Sequence, residues 1–498
     1  MCGICGIINE TSLKKKVNLK DIKIINKHIS NRGPDANASW LNLDRNIGIS
    51  VHRLSTQGVT KNSNQPCLSE NGEIISIMNG EIYNYKKLRN ELIKKGYNFK
   101  TNNDTEVVSN AYHYWGRKFL KKLEGQFAIF TYNKKKKIGI LARDEHGISP
   151  LFYAKKGKKF YFSSTEESLN FQINQKLELD KKTVSDFIIS GSPTKNRTIF
   201  KNIKQLQPGN FLTIDDKNKI SITKSFQKFN FKSKYKRENI KIIRKKIFNN
   251  LYQKVLERSS GDKKVGIFLS GGIDSTLILA LFRKKFTKKK IITFTAVFQD
   301  SNNKQIIGEH KIVKKICKYF KCKNILVPIK TNSLIKSLGR YSSPESGILE
   351  YCNRTLATAA RKNGINVIMS GEGSDEMFLG YDHNLSIIGL INKQFSFLLN
   401  KYKLRSAVNF SKKIIKLEDL FLIGGADIDL EKDRKKIFNP ILQKTVSLKK
   451  TISSYIKKYK LRNPKDADKI AFLLDYEIKI PNIQLRRSEG PAMAEGVE

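Results

Sequence analysis

The alternation of apolar runs and polar turns divides residues 1–170 into short strands and helices. Apolar runs predict one strand that begins at Ile7, another over Ile47 to Val51 and a third over Glu73 to Met78. Apolar residues recur at helical spacing after Asn103 and predict an amphipathic helix, with Asp104 as its N-cap. The first part of the chain is therefore predicted to be a mixed domain of strands and helices.

Beyond residue 237 the predicted strands and helices alternate one by one. A helix is predicted over Ile240 to Arg258, then a buried strand over Lys264 to Leu269 and a second helix over Leu277 to Lys284. Further strands are predicted over Ile291 to Phe298 and Asn366 to Met369. Strand–helix repeats of this kind are typical of a parallel α/β sheet.

The length of 498 residues is too great for one hydrophobic core and predicts two domains, which we place at residues 2–215 and 237–498. A basic stretch without apolar periodicity, Lys228 to Arg237, is the predicted junction. No apolar run reaches the length of a membrane span, and no signal-peptide pattern is visible. Six cysteines in so long a chain indicate no disulfide framework and favour a reducing cytoplasm.

The net charge of +49 is extreme and raises the hypothesis of a polyanionic partner such as nucleic acid. The lysines, however, are spread in short runs, for example Lys134 to Lys137 and Lys288 to Lys290, without an RNA-binding or helix-turn-helix signature. This distribution favours an ordinary solvated surface. We therefore expect neither a nucleic-acid partner nor a membrane partner.

The second residue is the first candidate for chemistry. If Met1 is removed, Cys2 carries both a thiol and a free α-amine, so one residue supplies nucleophile and base. Two other interpretations are open at this point. Cys2 could be a small apolar residue in a buried strand, or it could form a redox or metal pair with Cys5.

An amide side chain next to a glycine, Asn79-Gly80, follows the third predicted strand. These two residues can aim two N–H donors at one point, as an oxyanion requires when a thiolate attacks an amide. The alternative is a type I′ hairpin turn, the usual meaning of Asn-Gly. Arg53 could clamp a carboxylate or lie on the surface. The Asp104 carboxylate could meet a substrate ammonium as well as cap its helix.

A glycine-rich loop, Ser270 to Thr276, joins a predicted buried strand to the next helix. A strand, a Gly-Gly turn and a helix N-terminus together cradle an anion with backbone N–H groups. The lysine of a Walker loop is absent from it. After the strand that ends at Met369, Ser370 to Glu376 carries two carboxylates, Glu372 and Asp375. Ligands of open α/β sheets bind at this edge.

These motifs occur in the order and spacing of a known family. The set resembles the class II glutamine amidotransferases, and most closely the glutaminase half of the glutamine-hydrolysing asparagine synthetases. The loop Ser270 to Thr276 resembles the pyrophosphate loop of enzymes that cleave ATP between its α and β phosphates. The matching motifs of the first half are Cys2-Gly-Ile, Arg32-Gly-Pro-Asp35, His52-Arg53-Leu54-Ser55, Gln65-Pro66, Asn79-Gly-Glu-Ile-Tyr-Asn84, Asp104-Thr-Glu106, Gly125-Gln-Phe-Ala128 and Arg143-Asp144.

The resemblance implies an α+β fold for the first half, the four-layer αββα sandwich of N-terminal-nucleophile (Ntn) hydrolases. It implies an α/β fold for the second half, the parallel-sheet ATP pyrophosphatase domain of HUP-like type. For the glutaminase site it implies the following roles: Cys2 as nucleophile, Asn79 and Gly80 as the oxyanion hole, Arg53 on the glutamine carboxylate, and Glu81 and Asp104 on its α-amino group.

For the second site the resemblance implies ATP and Mg²⁺. Glu372 would act in forming an acyl-adenylate, and Asp274 and Asp375 would bind Mg²⁺. The residues implied in ATP binding are Ser270, Gly271, Gly272, Asp274, Ser275, Ser370 and Gly371, with Leu269 and Ala296 at the adenine.

The reaction implied is an ATP-dependent amidation. Ammonia from glutamine would convert aspartate to asparagine through β-aspartyl-AMP, with release of AMP and pyrophosphate. Two alternatives stay open: amidation of another carboxylate, such as a sugar acid, and a glutaminase whose second domain is inert. The oligomeric state, a homodimer included, is also open.

Two segments depart from the family pattern. Tyr341 to Glu345 carries serines where many members have acidic residues, and Arg486 to Gly490 is unusual. At Glu498 the family would continue into an arginine and a Pro-Phe-Leu-Asp motif, so we expect the synthetase half to lack its C-terminal end. The glutaminase chemistry is therefore the better supported half.

Overall fold

The computed structural model describes residues 2–55, 64–173, 178–190, 192–193, 196–224, 231, 239–259, 263–299, 306–307, 310–330, 348–381, 447–461 and 466–498. Tyr341 to Glu345 and most of the junction predicted at Lys228 to Arg237 lie outside the described residues.

The amino-terminal half consists of two antiparallel sheets with helices on their outer faces. Its strands are β1 (Gly3–Asn9), β2 (Ala36–Leu41), β3 (Ile47–Arg53), β4 (Cys67–Leu68), β5 (Ile74–Ile82), β6 (Gly125–Asn133), β7 (Ile138–Arg143), β8 (Phe152–Lys156), β9 (Lys159–Ser163), β10 (Ile203–Gln205), β11 (Asn210–Ile214) and β12 (Ile220–Lys224). Its helices are α1 (Leu19–Lys27), α2 (Tyr85–Ile93), α3 (Asp104–Trp115), α4 (Glu166–Ile173) and α5 (Lys181–Ser190). One sheet has the strand order β10-β8-β9-β1-β3-β2 and the other β12-β11-β7-β6-β5-β4.

Three apolar cores separate four layers. The inner faces of the sheets pack on each other through fully buried side chains such as Ile4, Ile77 and Phe130. The rings of Phe130 and Phe162 stack with centroids 4.7 Å apart, and each buried ring contributes about 2–3 kcal/mol. Because side chains alternate along a strand, the outer faces carry a second apolar set, which packs on α2 and α3 in one sheet and on α1 and α4 in the other. This αββα arrangement confirms the predicted fold.

The alternation of side chains along β1 separates the first two cysteines. Cys2 lies in the core between the sheets, whereas Cys5 lies in the core beneath α1. The two thiols are on opposite faces of one sheet, so the interpretation as a redox or metal pair is wrong. The strand also begins at Gly3, earlier than the predicted Ile7.

Strand β5 continues beyond the predicted end at Met78. It pairs with β6 as far as Ile82, with Asn79 opposite Ala128 and Gly80 opposite Phe127. Both residues are therefore inside a strand, and the hairpin-turn interpretation of Asn79-Gly80 is wrong.

The carboxyl-terminal half contains a parallel sheet. Its strands are β13 (Val265–Phe268), β14 (Ile292–Gln299), β15 (Ile306–Ile307), β16 (Lys323–Lys330) and β17 (Val367–Met369). Its helices are α6 (Ile240–Arg258), α7 (Ile273–Lys285), α8 (His310–Tyr319), α9 (Ile348–Lys362), α10 (Ser374–Phe378), α11 (Ser447–Tyr459), α12 (Ala467–Leu474) and α13 (Leu485–Ala494). β13 pairs in parallel with β14 and β17, and β14 pairs in parallel with β16, which confirms the predicted α/β architecture. The short edge strand β15 pairs antiparallel with β14.

The predicted glycine-rich loop lies where the sequence places it, after the carboxyl end of β13. The following helix, α7, begins at Ile273 rather than at the predicted Leu277. Asp274 and Ser275 are therefore part of its first turn, where backbone N–H groups point out of the helix.

The last segment of the chain runs between the two halves. α12 continues through a π-helical stretch, Asp475–Gln484, into α13. α13 packs on α9 of the second half and also contacts the turn around Arg32 in the first half. The predicted lysine runs, Lys134 to Lys137 and Lys288 to Lys290, are exposed. Among the described residues, every helix is too short or too polar to cross a membrane.

Candidate active sites

The first site is built around Cys2, which is 4% exposed at the start of β1. Its backbone nitrogen donates a hydrogen bond of 2.8 Å to Asn79 Oδ1 on β5. The two strands belong to different sheets and meet because the sheets pack face to face. When Met1 is removed this nitrogen becomes the α-amine, so Asn79 holds the amine beside the thiol.

Asn79 brings a second polar atom to the same place. Its side chain is 0% exposed, and its Nδ2 has no hydrogen-bond partner among the described residues. An unsatisfied buried donor costs about 1–3 kcal/mol, so this amide is available to an acceptor that a ligand or a water molecule supplies. An oxyanion on a carbonyl carbon attacked by Cys2 is an acceptor of the required kind.

Gly80 follows Asn79 at a position that only glycine fits. Its φ is +133°, and a Cβ there would lie 2.0 Å from the Gln126 carbonyl oxygen on β6. Any larger residue would push β5 away from β6 and displace the Asn79 amide.

The thiol of Cys2 needs a base. Burial raises the pKa of Cys2, against the opposing effects of the positive amino terminus, the Leu54 backbone N–H and Arg53. The neutral thiol is thus the resting form, and only the thiolate attacks a carbonyl. The α-amine of the same residue is within reach to take the proton.

Asp104 is the first residue of α3 but not its cap. The N-cap is Asn103, whose side chain accepts a hydrogen bond of 2.9 Å from the Thr105 nitrogen. The Asp104 carboxylate turns instead to β5 and accepts a hydrogen bond of 2.9 Å from the Ile82 nitrogen. The N-cap interpretation is wrong, and Asp104 lies beside Asn79-Gly80 through its contact with β5.

Three charged side chains gather near Cys2: Arg53, Glu81 and Asp104. Arg53 is 5% exposed, so the interpretation as a surface arginine is wrong. Burial raises the pKa of Asp104 to about 6, although the Ile82 N–H opposes the shift. Burial also raises the pKa of Glu81, and the carboxylates of Glu498 and Asp104 raise it further. A bound cation such as a substrate ammonium would relieve this crowding of acids.

Arg32 is a site residue to which no motif assigned a role. Its Nε donates a hydrogen bond of 3.3 Å to the Cys2 carbonyl, and both of its Nη atoms bond to Glu489 on α13. The side chains of Arg32 and Glu489 are each 7% exposed. The partners lie 457 positions apart, so no local pattern could have paired them.

The second site begins with the loop Ser270 to Thr276. Gly271 has φ +91°, and Gly272 is the N-cap of α7 without a side-chain cap. Ser270 Oγ accepts a hydrogen bond of 3.2 Å from the Gly272 nitrogen and lies 3.1 Å from Ser275 Oγ. The loop thus curls around the first turn of α7, whose N–H groups and dipole suit a phosphate.

The segment after β17 lies against this loop because β17 and β13 are adjacent strands. A Cβ at Gly371 would lie 2.7 Å from the Ser275 nitrogen, so the two turns touch through their backbones. Ser370 directly precedes this contact. Asp375 is close to Asp274, since burial first and then the Asp274 charge raise the pKa of Asp375.

The acids of the second site suit Mg²⁺ in one specific way. Among the described residues, no group of three His, Cys, Asp or Glu side chains could hold a metal ion by itself. Mg²⁺ in nucleotide sites is typically bound by one or two carboxylates together with substrate phosphates. Asp274 and Asp375, beside a phosphate cradle, match that requirement.

Three further predicted residues surround the loop. Glu372 is exposed to solvent, and its carboxylate is hydrogen-bonded to Ser488 on α13 and Asn353 on α9. Ala296 is half-buried on β14. The Leu269 side chain is 1% exposed in the core, so a nucleotide contact there would come from its backbone.

The segment from Ser488 to Glu498 touches both sites. Ser488 contacts Glu372, and the adjacent Glu489 pairs with Arg32 at the Cys2 carbonyl. The Glu498 nitrogen donates a hydrogen bond of 2.8 Å to the backbone beside β17, and its side chain accepts one of 2.6 Å from Gln126, next to Gly80. The segment Ser488 to Glu498 therefore lies between the two sites and contacts both.

Comparison with known proteins assigns each half separately. The model of the glutamine amidotransferase domain matches residues 1–227, and the asparagine synthase model matches residues 246–456. Asparagine synthetase (glutamine-hydrolyzing) 1 of Bacillus subtilis strain 168 is 33% identical over 387 residues, which cover 77% of this chain and 59% of that protein. Asparagine synthetase (glutamine-hydrolyzing) 2 of the same strain is 30% identical over 412 residues, 78% and 53% of the two chains. Amidase chry2 of Gibberella zeae is 26% identical over 409 residues, 77% and 60%. The chain thus spans less than two thirds of the length of each of these three relatives.

The αββα fold with a buried cysteine at position 2 defines a class II glutamine amidotransferase domain. The parallel-sheet domain that follows it matches the asparagine synthase model. The chain thus combines the two kinds of domain and is similar to the glutamine-hydrolysing asparagine synthetases.

Proposed function

We propose that this protein hydrolyses glutamine at Cys2 and uses the ammonia, together with ATP, to convert the β-carboxyl of aspartate into the amide of asparagine. The observation that carries the proposal is the buried Asn79 side chain. Its Oδ1 accepts a hydrogen bond from the Cys2 nitrogen, and its Nδ2 has no hydrogen-bond partner among the described residues. Two observations support the second half of the reaction. The glycine-rich loop Ser270 to Thr276 leads into the N-terminus of α7, and Glu372 contacts Ser488, which belongs to the segment that touches both sites.

The glutaminase step uses one residue as nucleophile and base. The Cys2 amine takes the thiol proton, and the sulfur attacks the glutamine amide carbon. The developing oxyanion accepts hydrogen bonds from Asn79 Nδ2 and the Gly80 backbone. The ammonium form of the amine then gives its proton to the leaving nitrogen, ammonia departs, and water hydrolyses the thioester to glutamate.

Glutamine is recognised by its two charged ends. The buried guanidinium of Arg53 binds the α-carboxylate, and Glu81 and Asp104 bind the α-ammonium. Because the two acids disfavour each other's ionisation, the ammonium is the group that makes both charges favourable together.

The synthetase step activates a carboxylate with ATP. The loop Ser270 to Thr276 holds the pyrophosphate, and Glu372 assists transfer of the adenylyl group to the aspartate β-carboxyl. Asp274 and Asp375 would hold Mg²⁺, which neutralises phosphate charge when bound. Ammonia that reaches this site internally displaces AMP and leaves asparagine, so the products are asparagine, glutamate, AMP and pyrophosphate.

A second function has one observation in its favour: the relatives include a protein named an amidase as well as proteins named asparagine synthetases. The alternative function is the amidation of another carboxylic acid, such as a sugar acid, by the same two steps.

The test supplies full-length protein with glutamine, ATP and Mg²⁺ and one acceptor at a time from aspartate and a panel of uronates. Glutamate, AMP and pyrophosphate are measured together. We expect all three with aspartate. Pyrophosphate with a uronate alone would assign the other acceptor, and glutamate without AMP under every acceptor would contradict the synthetase half.

A further inference from the structure

Two cysteines meet at the carboxyl end of α8. The helix ends in a Schellman motif, in which the Cys322 nitrogen donates a hydrogen bond of 3.0 Å to the Cys317 carbonyl. Lys321 takes the left-handed position with φ +50°, and its nitrogen donates 3.3 Å to the Lys318 carbonyl. In this motif the side chains of the first and last residues touch. Here both are cysteines.

Packing places the two cysteines side by side. Cys322 packs on the apolar cluster that contains Cys317, and the backbone hydrogen bond between the two residues holds them together. Arg283 of α7 fixes the turn by donating 2.8 Å to the carbonyl of Phe320 and 2.8 Å to that of Lys321. The turn thus keeps the two side chains next to each other.

The pair borders a cavity in a positive environment, with Cys317 6% exposed and Cys322 half-buried. A cavity of 630 Å³ is lined by both cysteines and by Lys314, Lys318 and Lys321. Lysines beside a thiol favour the thiolate and attract anionic reagents. The S–H of Cys322 donates a hydrogen bond of 3.8 Å to the Cys317 carbonyl, and the Cys317 sulfur lies 3.7 Å from Thr293 Oγ1. Contact with the Cys322 thiol lowers the pKa of Cys317 to about 7, and the same contact raises that of Cys322. Cys317 is thus the attacking sulfur and Cys322 the resolving one.

The other four cysteines, Cys2, Cys5, Cys67 and Cys352, are buried, and burial raises the pKa of each. Cys317 is itself only 6% exposed, so exposure does not set it apart. What distinguishes Cys317 is its contact with a second cysteine, which lowers its pKa.

We propose that Cys317 and Cys322 form a reversible dithiol–disulfide site that reacts with low-molecular-weight disulfides. The Cys317 thiolate attacks one sulfur of the reagent, forms a mixed disulfide and expels one thiolate. The Cys322 thiolate then attacks the Cys317 sulfur, and the second half of the reagent leaves. The two electrons and two protons lost by the cysteines appear as two molecules of reduced thiol. The site lies at the amino-terminal edge of the sheet, away from the Ser270 loop, and does not depend on the proposed function.

Glutathione disulfide is the probe, and the sequence provides a convenient readout. Cleavage after Glu309 and Glu345 releases one peptide, residues 310–345, that contains both cysteines and no others. After incubation of the full-length protein, alkylation of free thiols and digestion, we expect this peptide without alkyl groups and lighter by two hydrogen atoms. Dithiothreitol should restore two alkylated cysteines. A peptide that keeps both alkyl groups, or that carries two glutathione adducts, would overturn the proposal.

Variants separate the roles of the two sulfurs and of the turn. Cys322→Ser should trap one glutathione on Cys317, and Cys352→Ser, a matched control, should leave the oxidation unchanged. Lys321→Gly keeps the left-handed position, whereas Lys321→Val disfavours it and should slow disulfide formation about tenfold relative to Lys321→Gly. Equal rates for these two variants would show that the Schellman turn does not align the sulfurs.

Discussion

The two sites differ in how much of each is built from side chains that are distant in sequence. The Cys2 site is buried and consists of residues from β1, β3, β5, α3 and α13. The phosphate site is open, with Ile273 84% exposed beside the loop, and most of its polar groups belong to two short turns. The residues of the first site are thus largely in place before a ligand binds, whereas the second site is open to solvent.

This difference has a physical cause. A developing oxyanion must meet donors that are already oriented, because reorientation during the reaction would cost free energy. A phosphate brings its own charge and its own metal ion, so backbone N–H groups at a helix N-terminus suffice. Substitutions in the buried Cys2 site and in the open site at the Ser270 loop should therefore have different effects.

Replacement of Cys2 should remove the activity of the first site and leave that of the second. Cys2→Ala should lower glutamine hydrolysis by about 10⁴-fold or more, because no other group performs its step. ATP-dependent amidation with added ammonia should remain. Cys5→Ala, on the opposite face of β1, is the control and should keep the glutaminase activity. Loss of ammonia-dependent activity in Cys2→Ala alone would mean that the two sites are not separable.

Removal of the Asn79 Nδ2 donor should change kcat for glutamine hydrolysis more than KM. Asn79→Ala should reduce kcat for glutamine hydrolysis by about 10²–10³-fold, the usual cost of one oxyanion-hole donor. Asn133→Ala removes another buried amide, at the far end of β6, and should leave kcat unchanged. An effect of Asn79→Ala on KM alone would assign this amide to substrate binding.

Replacement of Asp274 should weaken the site at the Ser270 loop and leave the Cys2 site unchanged. Asp274→Asn should reduce pyrophosphate release on the order of 10²-fold and raise the Mg²⁺ concentration needed for half-maximal rate. Glutamine hydrolysis measured without ATP should not change. If Asp274→Asn keeps the Mg²⁺ requirement of the wild type, the metal is bound elsewhere.

The buried ion pair between Arg32 and Glu489 should contribute to both stability and glutaminase activity. Glu489→Gln leaves the Arg32 charge buried without its partner, which should lower the free energy of unfolding by about 3–5 kcal/mol. Glutamine hydrolysis should fall about tenfold at a temperature where the variant is folded, because Arg32 also holds the Cys2 carbonyl.

The matched control for this pair is Glu495→Gln. It breaks the more exposed ion pair with Arg354, which should change the free energy of unfolding by less than about 1 kcal/mol. Urea unfolding curves of the two variants give the comparison. Equal losses would show that burial does not distinguish the pairs.

The pH dependence should be the mildest effect. Burial raises the pKa of Asp104 to about 6, so this carboxylate gains a proton as the pH falls through 6 and loses its attraction for the glutamine ammonium. We expect KM for glutamine to rise by about tenfold per unit below pH 6, with kcat affected less. In Asp104→Asn this part of the profile should disappear. A KM that stays constant down to pH 5 would exclude Asp104 from glutamine binding.

Local pattern determined a large part of this protein. Apolar runs predicted the strands, and the order of short motifs predicted the family, since a string such as Ser270 to Thr276 carries its phosphate cradle in its own backbone. Helix α6 was predicted with the bounds it has. The local pattern did not predict the contacts of residues whose neighbours are remote. It indicated a hairpin turn at Asn79 and an N-cap at Asp104, and both interpretations are wrong.

The tertiary structure decided which atoms face each other. The amide of Asn79 meets Cys2 only because two sheets stack, and Arg32 meets Glu489 only because the last helix folds back between the domains. Hydrophobic periodicity is a property of neighbouring residues and is readable along the chain. Burial and long-range pairing depend on the whole packed molecule, and they set which donor is left unsatisfied and which acid resists ionisation.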